Sequence, residues 1–447
     1  MLEPLLNIFK IPDLKKKVLM TLVLIAVYRV GAFIPTPGVD SAKLMEFFRN
    51  IAQTAGGALF GLFNVFSGGA MEKATIFALG IMPYISASII LQLLTAVIPY
   101  LERLAKEGEA GHRKIMQYTR YGTVILSVIQ SFFIAIWLEN PAHFQGEVIV
   151  PNGGWLFRMM TIITLTSGTA FIMWLGEQIQ EFGIGNGISL IITAGIISRL
   201  PGAIAQLIGL ISFSPERRQI EPLTLILMAI MFIGVIVSVI SITQGQRKIP
   251  VQYAKRIIGR KIYGGQSTYI PLRVNQAGVI PIIFAQSLIL FPATIASVIP
   301  NDFMQKIAAG IQERGIAYNL IYTLLIIFFC YFYTAITFNP IDVAENMKRY
   351  GGFVPGIRPG KATAEFLDHV MTRITLPGAM FLAIIAIIPT FISAGLKIPF
   401  LVASFFGGTS LLIIVGVMLD TMQQIESHLL TRHYEGFMKR GKIKGRR

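Results

Sequence analysis

The sequence predicts an all-α polytopic membrane protein. Composition, apolar segmentation and one broken stretch are the observations that predict it. Of 447 residues, 54% are hydrophobic and only 14% charged, with a mean hydropathy of +0.65, a balance found in membrane chains. Apolar runs of about 20 residues, the length that crosses a bilayer, recur along the whole chain. Between Ala58 and Tyr100 the pattern breaks. Leu59-Phe60-Gly61-Leu62-Phe63-Asn64-Val65-Phe66 is too short to cross and stops at Ser67-Gly68-Gly69, whereas Ala74 to Leu101 is free of charge. Irregular backbone at membrane depth is tolerated only where protein buries it or where it lines a cavity. The break therefore points to a pore or a transport site.

Ten spans are predicted. The first, 18–36, follows Lys15-Lys16-Lys17 and resembles a signal peptide, but no A-x-A-like cleavage site follows, so it reads as retained. The second is the uncharged run 74–100. The third and fourth, 117–138 and 154–176, are continuous. The fifth, 185–208, is interrupted by Arg199-Leu200-Pro201-Gly202. The sixth and seventh are 221–243 and 274–298. The eighth, 318–338, holds Cys330, the only cysteine, which excludes an intrachain disulfide. The ninth is 374–394, and the tenth, 403–426, has Gly407-Gly408 near its start.

Ten spans place both termini on one side. Most of the 39 Lys and Arg fall on that side, among them Lys10, Lys15, Lys16, Lys17, Arg103, Lys106, Arg113, Lys114, Lys348, Arg349, Lys361 and the tail from Arg432 to Arg447. Excess Lys and Arg marks the cytoplasmic face, so both termini are expected there. The loop 244–272 carries Arg247, Lys248, Lys255, Arg256, Arg260 and Lys261 with no acid, and interleaves Tyr253, Tyr263 and Tyr269. The loop 339–372 is similarly long. Such loops either only set topology or form docking surfaces for RNA phosphate or an acidic protein face. Ten spans also divide into halves of five, 1–215 and 216–447. Halves of odd count can be related only as inverted repeats, with a pathway between them.

Membrane carboxylates and ligand clusters are missing. Arg29, Arg158, Glu177 and Asp420 lie towards span ends, and His112, His143, His369, His428 and His433 fall in loops or the tail region. No group has metal-ligand spacing and no nucleophile lies beside a base, so no catalytic residue, metal or cofactor is expected. Gly436 to Lys442 has phosphate-loop glycine spacing, but Ile443 stands where Ser or Thr is needed. The mid-span polar residues Gln92, Asn275, Gln286 and Thr334 are neutral and suit interhelical hydrogen bonds. Two classes remain: a passive gated channel, and an inverted-repeat secondary transporter of a small solute. An ion-coupled carrier needs a membrane site for its ion, which favours the channel.

Several long motifs carry a family resemblance. Phe77-Ala78-Leu79-Gly80-Ile81-Met82-Pro83-Tyr84-Ile85-Ser86-Ala87-Ser88, Trp174-Leu175-Gly176-Glu177-Gln178-Ile179, Gly183-Ile184-Gly185-Asn186-Gly187-Ile188-Ser189, Phe353-Val354-Pro355-Gly356-Ile357-Arg358-Pro359-Gly360 and Phe406-Gly407-Gly408-Thr409-Ser410-Leu411-Leu412 resemble the bacterial SecY translocon family over nearly the whole chain. The resemblance implies ten transmembrane helices in two inverted five-helix halves around a central hourglass pore, conducting unfolded polypeptide and releasing apolar helices sideways into lipid. It implies a plug at about 58–72, including Leu59, Phe60, Leu62, Phe63, Phe66, Ser67, Gly68 and Gly69. A passively packed re-entrant loop is the other reading of that stub. It implies a pore ring of Ile81, Ile85, Ile188, Ile192, Ile283 and Ile413, residues that would otherwise be lipid-facing or packing. Gln92 and Asn275 match its lateral gate, and Arg358 matches an arginine used with its motor. The implied partners are the small membrane subunits SecE and SecG, the motor ATPase SecA, the ribosome, signal peptides and nascent chains, and the lipid bilayer.

Overall fold

The computed structural model describes residues 11–51, 64, 67–144, 146–210, 222–253, 256–258, 261–263, 267–298, 315–396, 398 and 400–440. The described residues begin with α1 (Pro12–Gly31) and α2 (Ser41–Ile51). Next come α3 (Met82–Val97), α4 (Pro99–Lys106), α5 (Glu109–Glu139), α6 (Trp155–Phe182), α7 (Gly187–Ile197), α8 (Leu200–Leu210) and α9 (Pro222–Gln244). Strands β1 (Gln246–Tyr253), β2 (Arg256–Ile258), β3 (Lys261–Tyr263) and β4 (Ser267–Arg273) follow. The remainder is α10 (Ile280–Val298), α11 (Ile316–Thr337), α12 (Pro340–Arg349), β5 (Gly352–Phe353), α13 (Lys361–Leu396), α14 (Phe400–Phe406) and α15 (Thr409–Arg440).

Each of the ten predicted spans overlaps helix among the described residues. Among the described residues, seven helices are long and apolar enough to cross a membrane, eight if one bent pair counts as a single span. α1 has the length but carries Lys15, Lys16, Lys17 and Arg29, and α10 is described as apolar over Ile280–Ile289.

The second, fifth and seventh spans differ from the prediction, each for a backbone reason, and the tenth is broken between Phe406 and Thr409. The second is helical only from Met82. Ala74 (φ 44°) and Gly80 (φ 58°) hold left-handed conformations that a helix cannot contain, and Pro83 fits the first turn, where no N–H is needed. The stretch before it is tied to the chain after α1: the Thr36 N–H donates to the Ala74 carbonyl at 2.8 Å and the Ile76 N–H to that of Ile34 at 3.0 Å. At its other end, Ile98 is extended because Pro99 follows it. α4 leaves at 100° to α3 and buries Leu101 and Leu104. The fifth span splits into α7 and α8 around Arg199. The seventh begins at Ile280, not 274, after Gly278 at φ 63° and with Pro281 in its first turn. Asn275 therefore lies in the turn before α10, a correction to its mid-span placement.

The helical polytopic fold holds as expected, and small strands in the long loops add to it. Loop 244–272 forms strands, with β1 pairing antiparallel to β4 and β5 in the order β4-β1-β5 and β2 pairing with β3. Alternation in β1 turns Ile249 and Val251 inward. They pack with Leu272, Met347, Val354 and Leu367, so the two long loops share one small core.

The main apolar core is continuous across both sequence halves. α5 packs between α3 and α6, and α11 between α10 and α13. Between the halves, α3 and α5 meet α10, α7 meets α15 and α8 meets α14.

Candidate functional site

The six isoleucines of the predicted ring all lie at helix beginnings. Ile81 precedes α3, and the Ile85 N–H donates to its carbonyl at 3.1 Å, so the pair stacks on one face of the first turn. Ile188 and Ile192 lie in the first two turns of α7, Ile283 in the first turn of α10 and Ile413 in the second turn of α15. Ile81, Ile85, Ile192, Ile283 and Ile413 are at most 5% exposed, and Ile188 packs half-buried against the same cluster. Each helix starts at a sequence break that fixes where its first turn falls. The breaks are Gly80, the Asn186 side chain accepting the Ser189 N–H at 3.2 Å, Gly278, and Gly407-Gly408. At Gly408 (φ 93°) a Cβ would stand 2.3 Å from Pro389 Cγ, so α15 can begin there only on glycine.

Of the predicted plug, Leu59, Phe60, Leu62, Phe63 and Phe66 lie outside the described residues. Ser67, Gly68 and Gly69 form the turn that follows. Ser67 is 1% exposed, and its hydroxyl accepts the Met71 N–H at 3.2 Å. Arg29 Nη1 donates to the Gly68 carbonyl at 3.2 Å. Sequence reasoning passed over Glu72, which pairs with Arg199 at 2.9 Å. The only hint was an arginine interrupting the fifth span.

The seam of α3 and α5 against α10 contains the predicted gate region. The Gln92 side-chain amide donates to Ser88 Oγ at 3.2 Å on its own helix, and Gln92 Oε1 has no partner among the described residues. Asn275 is buried, but no hydrogen bond between it and Gln92 occurs among the described residues. What crosses the seam is Ser287 of α10. Its hydroxyl donates to the Ile283 carbonyl at 2.8 Å and lies 3.9 Å from Met82 Sδ of α3. Gln286 on α10 and Gln130 on α5 are also buried with an unpartnered Oε1 among the described residues. Neither Ser287 nor Met82 was singled out from sequence, since only tertiary packing brings them together.

On the module of the two long loops, Arg247, Lys248 and Arg358 are exposed. Lys248 Nζ stands 4.7 Å over the Tyr269 ring. No carboxylate pairs with Arg358 among the described residues. Arg256 and Lys261 lie on β2 and β3, while Lys255 and Arg260 fall outside the described residues. Among the described residues no group of His, Cys, Asp or Glu could hold a metal ion.

The SecY family profile matches residues 75–422. The protein translocase subunit SecY of Escherichia coli K12 is 48% identical over 437 residues, covering 97% of this chain and 96% of that protein. A solved structure described as that of a protein-conducting channel aligns with a TM-score of 0.61 at 20% identity, over 92% of each chain. Another, whose plug domain is described as stabilising the closed state of the translocation channel and maintaining a membrane seal, aligns at 0.58 and 19% over 92% of each chain.

Proposed function

The chain belongs to the SecY family of protein-conducting translocation channels, which are multi-pass membrane proteins and not enzymes, and we propose how its own residues conduct. Unfolded secretory polypeptide crosses outwards through an hourglass between the halves 1–215 and 216–447. Both termini are cytoplasmic. Ile81, Ile85, Ile188, Ile192, Ile283 and Ile413 form the constriction. The observation that supports this reading is that all six lie at helix starts, in both halves, and belong to or pack on the apolar core that the halves share. A narrow aliphatic ring dewets and so blocks ions, yet it offers a passing chain no polar site to stick to. A carrier for small solutes would need ligands at that point, and family membership decides between the two classes.

The stub 58–72 is the plug. The seam of α3 and α5 against α10 and α11 is the lateral gate, through which apolar helices leave for lipid. No hydrogen bond joins Gln92 to Asn275, and the buried glutamine acceptors beside the seam are unpartnered among the described residues. Little specific bonding therefore opposes separation. Membrane hydrogen bonds average only about 0.6 kcal/mol, so packing dominates the closed gate. SecE and SecG accompany the chain in the membrane. SecA and the ribosome dock on the exposed basic residues of the loop module, including Arg358.

The test is import. Liposomes holding the chain with its small membrane subunits, given the motor and ATP, should render an unfolded precursor protease-resistant. A precursor that stays fully digestible under those conditions would count against the reading.

A further inference from the structure

The segment joining the stub to α3 is fastened by charge. Arg199, between α7 and α8, donates through Nη2 to Glu72 Oε2 at 2.9 Å, with side chains 14% and 25% exposed. The same oxygen accepts from Asn64 Nδ2, and Asn64 Oδ1 accepts the Glu72 N–H at 3.3 Å. The Gly68 carbonyl takes Arg29 at 3.2 Å and the Ser198 hydroxyl at 3.5 Å. Gly68 itself holds φ 66°, and a Cβ there would stand 2.8 Å from the Gly195 Cα. The root of the stub is thus clasped from α1 on one side and from the α7–α8 break on the other.

We propose that Glu72 and Arg199 are a latch that holds the stub root in the closed channel and parts when the channel opens. The proposal rests on reading the stub as the plug. A partly buried ion pair resists separation while its surroundings are dry, because each charge alone would lack solvation. Once the path fills with water, screening weakens the attraction and the separated charges are solvated. The pair therefore sets a threshold: it holds against small fluctuations and releases when a polypeptide has already wetted the path. A turn needed only for connection would not require a carboxylate and a guanidinium brought together from positions 127 residues apart.

The experiment uses the full chain with Ser67→Cys in a Cys330→Ala background, reconstituted in liposomes and planar bilayers. Glu72→Gln and Arg199→Gln should each raise resting ion conductance and speed modification of Cys at position 67 by an impermeant maleimide, by about tenfold, the factor for roughly 1.4 kcal/mol. The double exchange Glu72→Arg with Arg199→Glu should restore both readouts. That rescue separates the latch from general misfolding. Unchanged labelling in both single variants overturns the latch, whatever the conductance. Deletion of residues 59–70 is the control: if it fails to raise the leak, the plug reading falls instead.

Discussion

Ile85 and Ile192 are only 4% and 1% exposed, so replacing both tests packing and sealing together. Serine there removes apolar surface worth about 1.5–3 kcal/mol per side chain and puts hydroxyls where the proposed ring must stay dry. Ile85→Ser with Ile192→Ser should raise resting conductance well above that of the parent, while a Val pair should seal like the parent. A serine pair that stays equally tight in planar bilayers would remove both residues from the ring. Gly408 makes a second residue-scale prediction. Gly408→Ala forces a left-handed alanine into Pro389 and should destabilise the fold by about 1–3 kcal/mol, read as a lower melting temperature in detergent. The glycine pair was visible in the sequence as a motif, and so was the i, i+4 spacing of Ile81 and Ile85. The partner of Glu72 was not. Periodicity places a residue on its own helix, whereas the pairing of Glu72 with Arg199 depends on how two distant breaks in the chain meet.

At the scale of elements, the apolar runs gave the order of the main helices, and the errors cluster at their ends. The second and seventh spans start late because Gly80, Pro83, Gly278 and Pro281 punctuate runs that hydropathy treats as continuous. The strands of loop 244–272 had a legible signal, the alternation of Ile249, Val251 and Tyr253, hidden by basic residues that suggested only an exposed loop. The seam proposed as the gate was legible as a set of spans but not as contacts. Asn275 lies in a turn, and Ser287 and Met82 cross the seam in its place. Met82→Cys with Ser287→Cys, in a Cys330→Ala background, should therefore be joined by a short bifunctional thiol reagent in the resting channel. Joined channels should release no apolar helix into lipid. Normal membrane insertion through the linked protein would refute the assignment of α3 and α10 as the gate walls.

At the scale of the whole molecule, the two long loops form one body although separated by two helices, because β1, β4 and β5 pair and share a core with α12 and α13. Arg358 is held on that body: its own carbonyl accepts the Thr363 hydroxyl at 2.8 Å, while its side chain is exposed and has no carboxylate partner among the described residues. A structural arginine would be paired, and removing it would cost stability. An unpaired exposed one costs little to change, so its effect should appear only when a partner docks. Arg358→Glu should leave the folding stability unchanged within about 0.5 kcal/mol. It should slow motor-driven export at limiting motor concentration and regain speed when the motor is in excess. Exposed charges act over a Debye length of about 10 Å at 0.1 M salt, so the deficit should shrink as ionic strength rises and the parent loses the same attraction. Export assayed across motor and salt concentrations decides the matter. A variant that exports normally at limiting motor, or one that is slow at every motor concentration, would remove Arg358 from the docking surface.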